Sequence, residues 1–172
     1  SFAAGSTIAG KDTWVDTVAA CTSNGSHGGT DLQIDSTVAT SKDTYIGFDL
    51  AGLSGATIIE SAVFTINRKT VPLLTNWVAN IFGIANGSEG WSEASLTCST
   101  RPVASGAAIG SMVGSANITG ELRTTLSTAA GSRILARAGS GVCTFLLQMS
   151  TALSAVAFQS KDSGGLPGNT EG

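Results

Sequence analysis

The sequence predicts an all-β sandwich carrying one short helical segment. Two observations lead there. Short β-branched and aromatic runs recur along the chain, each bounded by Gly, Asn, Asp or Ser. One of them, 142–149, is apolar on both faces at Phe145, Leu146 and Leu147, as a central, doubly covered strand should be. A hydrophobic share of 42% supplies a core and argues against disorder.

The expected strands are 13–18, 31–35, 44–50, 57–67, 78–84, 117–122, 142–149 and 155–159. In 57–67, Ile59, Ala62, Phe64 and Ile66 mostly alternate with Glu60, Ser61, Thr65 and Asn67, the two-residue period of a half-buried strand. Phe48, Leu50, Val63, Ile66, Phe82, Phe145, Leu147 and Phe158 are the expected core. The helical candidate is 120–138, where Leu122 and Leu126, then Ile134 and Ala138, stand four apart. Ser127 or Ser132 can cap it and Gly131 should break it, leaving one or two turns. Gly, Ser and Asn fill the loop 23–30. The stretch 85–115 has little strand character. So long a connection is usually functional or held by its own packing.

At 172 residues, with no dividing linker and no internal repeat, the chain is expected to form one domain over 1–172. Charged residues are 12%, about half the usual share of roughly 25%. Such a surface must be covered by small polar side chains or lie against neighbours. Net charge is −3 and the longest basic cluster is Arg68-Lys69, so nucleic acid is not an expected partner. No apolar run approaches the roughly 18 residues of a membrane span. Ser1–Gly5 lack the basic and apolar regions of a leader and there is no initiator Met, so the chain reads as processed or trimmed. Cys21, Cys98 and Cys143 show no metal or redox spacing. They read as small buried hydrophobes, or as one disulfide, Cys98 with Cys143, in an oxidising compartment.

Three segments carry a family pattern in matching order. The first holds Tyr45, Phe48-Asp49-Leu50, Leu53 and Ser61-Ala62. The second holds Gly90-Trp91-Ser92-Glu93, Thr97-Cys98 and Pro102, followed by Gly106 to Gly110. The third holds Phe158 and Ser160-Lys161-Asp162. Together they resemble the DNRLRE-type domain, also classed with family 96 of the carbohydrate-binding modules. The resemblance covers nearly the whole chain. It implies a jelly-roll-like antiparallel sandwich, appended to polysaccharide-acting enzymes, to cell-surface proteins or to phage structural proteins, with acidic polysaccharide bound by some members. It also implies that Glu93 and Lys161 approach each other, pinning 85–115 to the last strand. Cys98 departs from the pattern by replacing an aromatic. After Leu166-Pro167 only Gly168 to Gly172 follow, where the family has a further strand. The edge so exposed is expected to be covered by another chain, in an oligomer or larger assembly.

Catalysis finds no support in the residues. His27 is the sole His, in a Gly/Ser loop, and 52–56 falls short of a nucleophile elbow. Asp12, Asp16, Asp31, Asp35, Asp43 and Asp49 sit at strand ends, where turn and cap roles explain them. No cofactor is expected. Calcium is the one ion such sandwiches often take, although no acidic calcium loop occurs. Among the aromatics that could stack on sugar, Trp91 and Tyr45 match the family's core positions. Trp77 is the ligand candidate, with Arg68 or Lys69 placed to meet a uronate carboxylate. Two functions follow. One is a non-catalytic carbohydrate-binding or adhesion module, extracellular or at the cell surface. The other is a structural or decoration subunit of a virion or filament, partnered by copies of itself or other subunits.

Overall fold

The computed structural model describes residues 9–18, 31–37, 39–53, 55–69, 75–116, 118–138, 141–151 and 155–161. The strands are β1 (Ala9–Asp16), β2 (Asp31–Ile34), β3 (Lys42–Asp49), β4 (Val63–Arg68), β5 (Trp77–Ile84), β6 (Ala104–Gly114), β7 (Gly120–Thr125), β8 (Val142–Met149) and β9 (Val156–Gln159), with one helix, α1 (Thr128–Ala138). A five-stranded sheet runs β1-β3-β8-β5-β6 and a four-stranded sheet runs β2-β9-β4-β7. Every pairing is antiparallel. The chain crosses between sheets at most connections, as the predicted jelly-roll-like sandwich requires.

The main core fills the space between the sheets. Phe48, Phe64 and Phe145 meet edge to face at centroid separations of 5.7–6.0 Å. Each such pair adds about 0.5–1.5 kcal/mol beyond its buried area. A second apolar cluster, with Val15, Tyr45, Ile84, Trp91, Leu96 and Leu146, lies on the outer side of the five-stranded sheet. The irregular segment 85–103 covers that side. β8 is therefore apolar on both faces because it is the middle strand of a sheet covered on both sides.

Several expectations need correction. Val63 is 49% exposed, because the alternation of β4 turns Phe64, Ile66 and Arg68 inward and leaves Val63 and Thr65 outside. Phe48 and Phe82 are only partly buried, at the margins of the two clusters. Strand β4 begins at Val63, not at 57. Just before it, Ala62 O accepts from Leu126 N at 2.9 Å, directly beyond the Val63–Thr125 pair of the β4–β7 ladder. Strand β7 runs to Thr125, three residues past the predicted end at 122.

The stretch 85–115 contains β6, eleven residues rich in Gly, Ala and Ser. These are weak strand formers, but packing selects them. A Cβ on Gly114 would lie 2.0 Å from the Trp77 ring, and one on Gly110 would lie 2.7 Å from Leu126.

Gly131 does not break the helix, which runs three turns from directly after Ser127. Instead it lets α1 approach the chain at Ile59, whose carbonyl oxygen would stand 2.7 Å from an added Cβ. The helical cost of Gly, about 1 kcal/mol relative to Ala, is accepted for that contact. β9 is paired on both sides, by β2 and by β4. His27, Cys21 and the tail 168–172 lie outside the described residues.

A candidate carbohydrate-binding surface

The family-matched residues form a clamp holding 85–103 to the sheet. Lys11 Nζ donates to Glu89 O at 2.5 Å and Trp91 O at 2.6 Å, and stands 4.2 Å from the Trp91 ring centroid. The Trp91 indole donates to Thr144 Oγ1 at 3.0 Å, and the Tyr45 hydroxyl donates to Pro102 O at 2.8 Å. Trp91 and Tyr45 are thus core anchors of the clamp. Burial lowers the Lys11 pKa, with Glu89 and Glu93 opposing the shift.

Glu93 and Lys161 are brought together. Lys161 Nζ is 3.1 Å from Glu93 Oε1, which also accepts from Asp12 N at 2.7 Å. Asp12 in turn accepts from Ser160 Oγ at 2.8 Å and Lys161 N at 2.6 Å. Burial raises the Asp12 pKa, and these hydrogen bonds oppose the rise. The network ties β1, 85–103 and the end of β9 together. On the helix side, Arg137 Nε lies 2.6 Å from Glu89 Oε1.

Cys98 is disulfide-bonded, but not to Cys143, which is a free thiol buried in the main core. Burial pushes that thiol up to about 12, so it is inert as a nucleophile. Cys143 is thus the small buried hydrophobe expected, Cys98 is not, and the alternative Cys98–Cys143 bridge does not form, because β8 points Cys143 between the sheets while Cys98 belongs to the outer segment.

Of the predicted ligand residues, Trp77 is not available to a sugar. It is 0% exposed, with Phe158 edge-on at 5.8 Å and Arg68 at 5.8 Å from its ring centroid. Alternation along β5 turns Trp77 inward. Sequence reading missed this because a Trp at a strand start looks the same whichever face it takes. Trp14 is the tryptophan that keeps appreciable exposure, with Lys42 Nζ 4.5 Å from its ring centroid.

Arg68 and Lys69 do share a site. They line an open depression of about 440 Å³ together with Asn67, Thr119, Gly120 and Gln159. Lys69 pairs with Asp31 across to β2. Arg68 is 3% exposed. Its Nη1 donates to Ser115 O at 2.5 Å, while Nε and Nη2 are buried without any partner. Burial lowers its pKa. The depression therefore has the Arg68 cation at its base, with Nε and Nη2 sealed from solvent, and neutral amides around it.

Residues 4–168 match the model of carbohydrate-binding module family 96. The chain belongs to that family. A comparison with functionally characterised proteins gave no match. Carbohydrate binding by a sandwich of this kind needs no catalytic group. Among the described residues no group of three or more His, Cys, Asp or Glu side chains is placed to hold a metal. No helix among them is long and apolar enough to cross a membrane.

Proposed function

We propose that this family 96 domain is a non-catalytic module binding an acidic polysaccharide outside the cell, and that the Arg68–Lys69 depression receives a uronate residue. One observation carries the site: the buried Arg68 guanidinium with two donors unused. An uncompensated buried cation is costly, and a uronate carboxylate seated in the depression would offset that charge, meeting the two unused donors once the Arg68 side chain turns outward. Lys69 lies beside it, already held by Asp31. The Asn67 and Gln159 amides line the depression, and amides of this kind can bond sugar hydroxyls. No cofactor is invoked. The disulfide at Cys98 supports an oxidising, extracellular setting.

The test is calorimetry with alginate-derived oligouronates against neutral glucan oligosaccharides. The wild type should bind the former, and Lys69→Ala or Arg68→Met should weaken binding about tenfold or more, the worth of one charge-assisted hydrogen bond. Failure of the wild type to bind any oligouronate, or binding indifferent to both substitutions, overturns the reading.

A further inference from the structure

The cation beside Arg68 is already engaged. Lys69 follows directly after the inward-facing Arg68, so strand alternation turns it to the outer face of the four-stranded sheet. Asp31 opens β2, where Leu32 and Ile34 face inward, and so stands on the same outer face. Between the two runs β9, whose outward residues are Ala157 and Gln159. Asp31 is in register with Gln159, and Lys69 N donates to Ala157 O at 3.0 Å. The two backbones are therefore two strand spacings apart, about 10 Å at roughly 4.8 Å each. Lys69 closes that gap by lying across β9 to pair with Asp31.

The pair has the form of a latch. Lys69 lines the depression, whereas Asp31 stands outside it. The Lys69 charge is thus drawn toward a carboxylate built into the fold. The two side chains are 34% and 38% exposed. An ion pair so open to water is weak, and the lysine stem is flexible. A uronate carboxylate offers Lys69 the same chemistry that Asp31 does.

We propose that Asp31 is an internal competitor for the uronate: it holds Lys69 across β9 in the free domain, and the ligand binds by taking Lys69 from it. This rests on the uronate reading above. Asp31 is then a positioning residue that sets the affinity for acidic sugar without touching it.

A second carboxylate provides the comparison. Glu121 stands opposite Asn67, on the other flank of the depression, and pairs with Arg123 of its own strand at 3.4 Å. Neither lines the depression. Glu121→Gln changes the net charge as Asp31→Asn does, but it releases no lining cation.

The experiment is calorimetry with an alginate-derived oligouronate. Asp31→Asn should tighten binding about two- to fivefold, the fold-change worth of an exposed ion pair, and leave neutral glucan oligosaccharides unaffected. Glu121→Gln should leave the oligouronate affinity unchanged. In a Lys69→Met background the gain from Asp31→Asn should vanish, since Asp31 acts through Lys69. In carbon NMR, the Asp31 carboxyl resonance of the wild type should move on ligand binding toward its position in ligand-free Lys69→Met. No gain in Asp31→Asn, with binding still lost in Arg68→Met, overturns the latch and leaves the uronate site standing. An equal gain in Glu121→Gln, or one that persists in Lys69→Met, also overturns it, because simple charge repulsion then accounts for the effect. Absence of any wild-type binding overturns both readings.

Discussion

Replacing Arg68 by Met should make this domain more stable and less able to bind. The guanidinium is 3% exposed and two of its three nitrogens bond to nothing. On the favourable side stand one charged hydrogen bond to Ser115 O, worth about 1.5–3 kcal/mol, and a desolvated contact with the Trp77 ring at 5.8 Å, worth up to about 2 kcal/mol. Against them stands the desolvation of a buried ion, several kcal/mol after relaxation, with no carboxylate to offset it. An unbranched thioether fills most of the same space with no charge to desolvate. The expected net gain is about 1–2 kcal/mol, or a rise of roughly 2–4 °C in Tm per kcal/mol for a domain of this size. Differential scanning calorimetry without ligand measures it, and titration with oligouronate measures the accompanying loss. A lower Tm with binding intact would refute the reasoning, since it would mean that Arg68 is a satisfied structural donor.

Four other outcomes are expected. Glu93→Gln removes the ion pair with Lys161, whose side chains are 22% and 18% exposed. It leaves an amide oxygen for Asp12 N, so urea denaturation should show a loss of about 1 kcal/mol. Gly114→Ala drives a Cβ into the Trp77 ring and should destabilise by about 1–3 kcal/mol in the same assay. Burial raises the Asp43 pKa, with Gln148 and Arg101 opposing. The folded state therefore holds that proton more tightly than the unfolded state, and stability falls as pH climbs from the unfolded carboxylate range through the raised value. Asp43→Asn, which can keep an oxygen for Gln148, should gain over the wild type across that window and not below it, as thermal melts at stepped pH will show. Reducing the Cys98 disulfide should cost about 2–5 kcal/mol, visible as a lower Tm in reductant.

Much of the fold was legible along the chain because strand periodicity is local. The two-residue alternation around Phe64 and Ile66 and the apolar run at Phe145 to Leu147 record which faces are covered. The motif residues Trp91, Glu93 and Lys161 likewise carried the family and their shared neighbourhood. Strand β6 was not legible. Its Gly, Ala and Ser residues have low strand propensity, and they are there because Trp77 and Leu126 leave no room for a larger side chain. Gly131 was misread for the same reason: a helix breaker by propensity, it is required by the nearness of the Ile59 carbonyl.

The site divides in the same way. The adjacent Arg68-Lys69 pair, the three tryptophans and the scarcity of charge are properties of the sequence itself. Which ring faces solvent, and which cation lacks a partner, depends on strand phase and on side chains distant in the chain. Trp77 and Arg68 both turned inward, so the expected sugar platform became core and the expected surface cation became a buried donor at the base of a depression. Propensity and periodicity act over a few residues. Burial and charge compensation are set by contacts across the sandwich, which only the tertiary structure brings about.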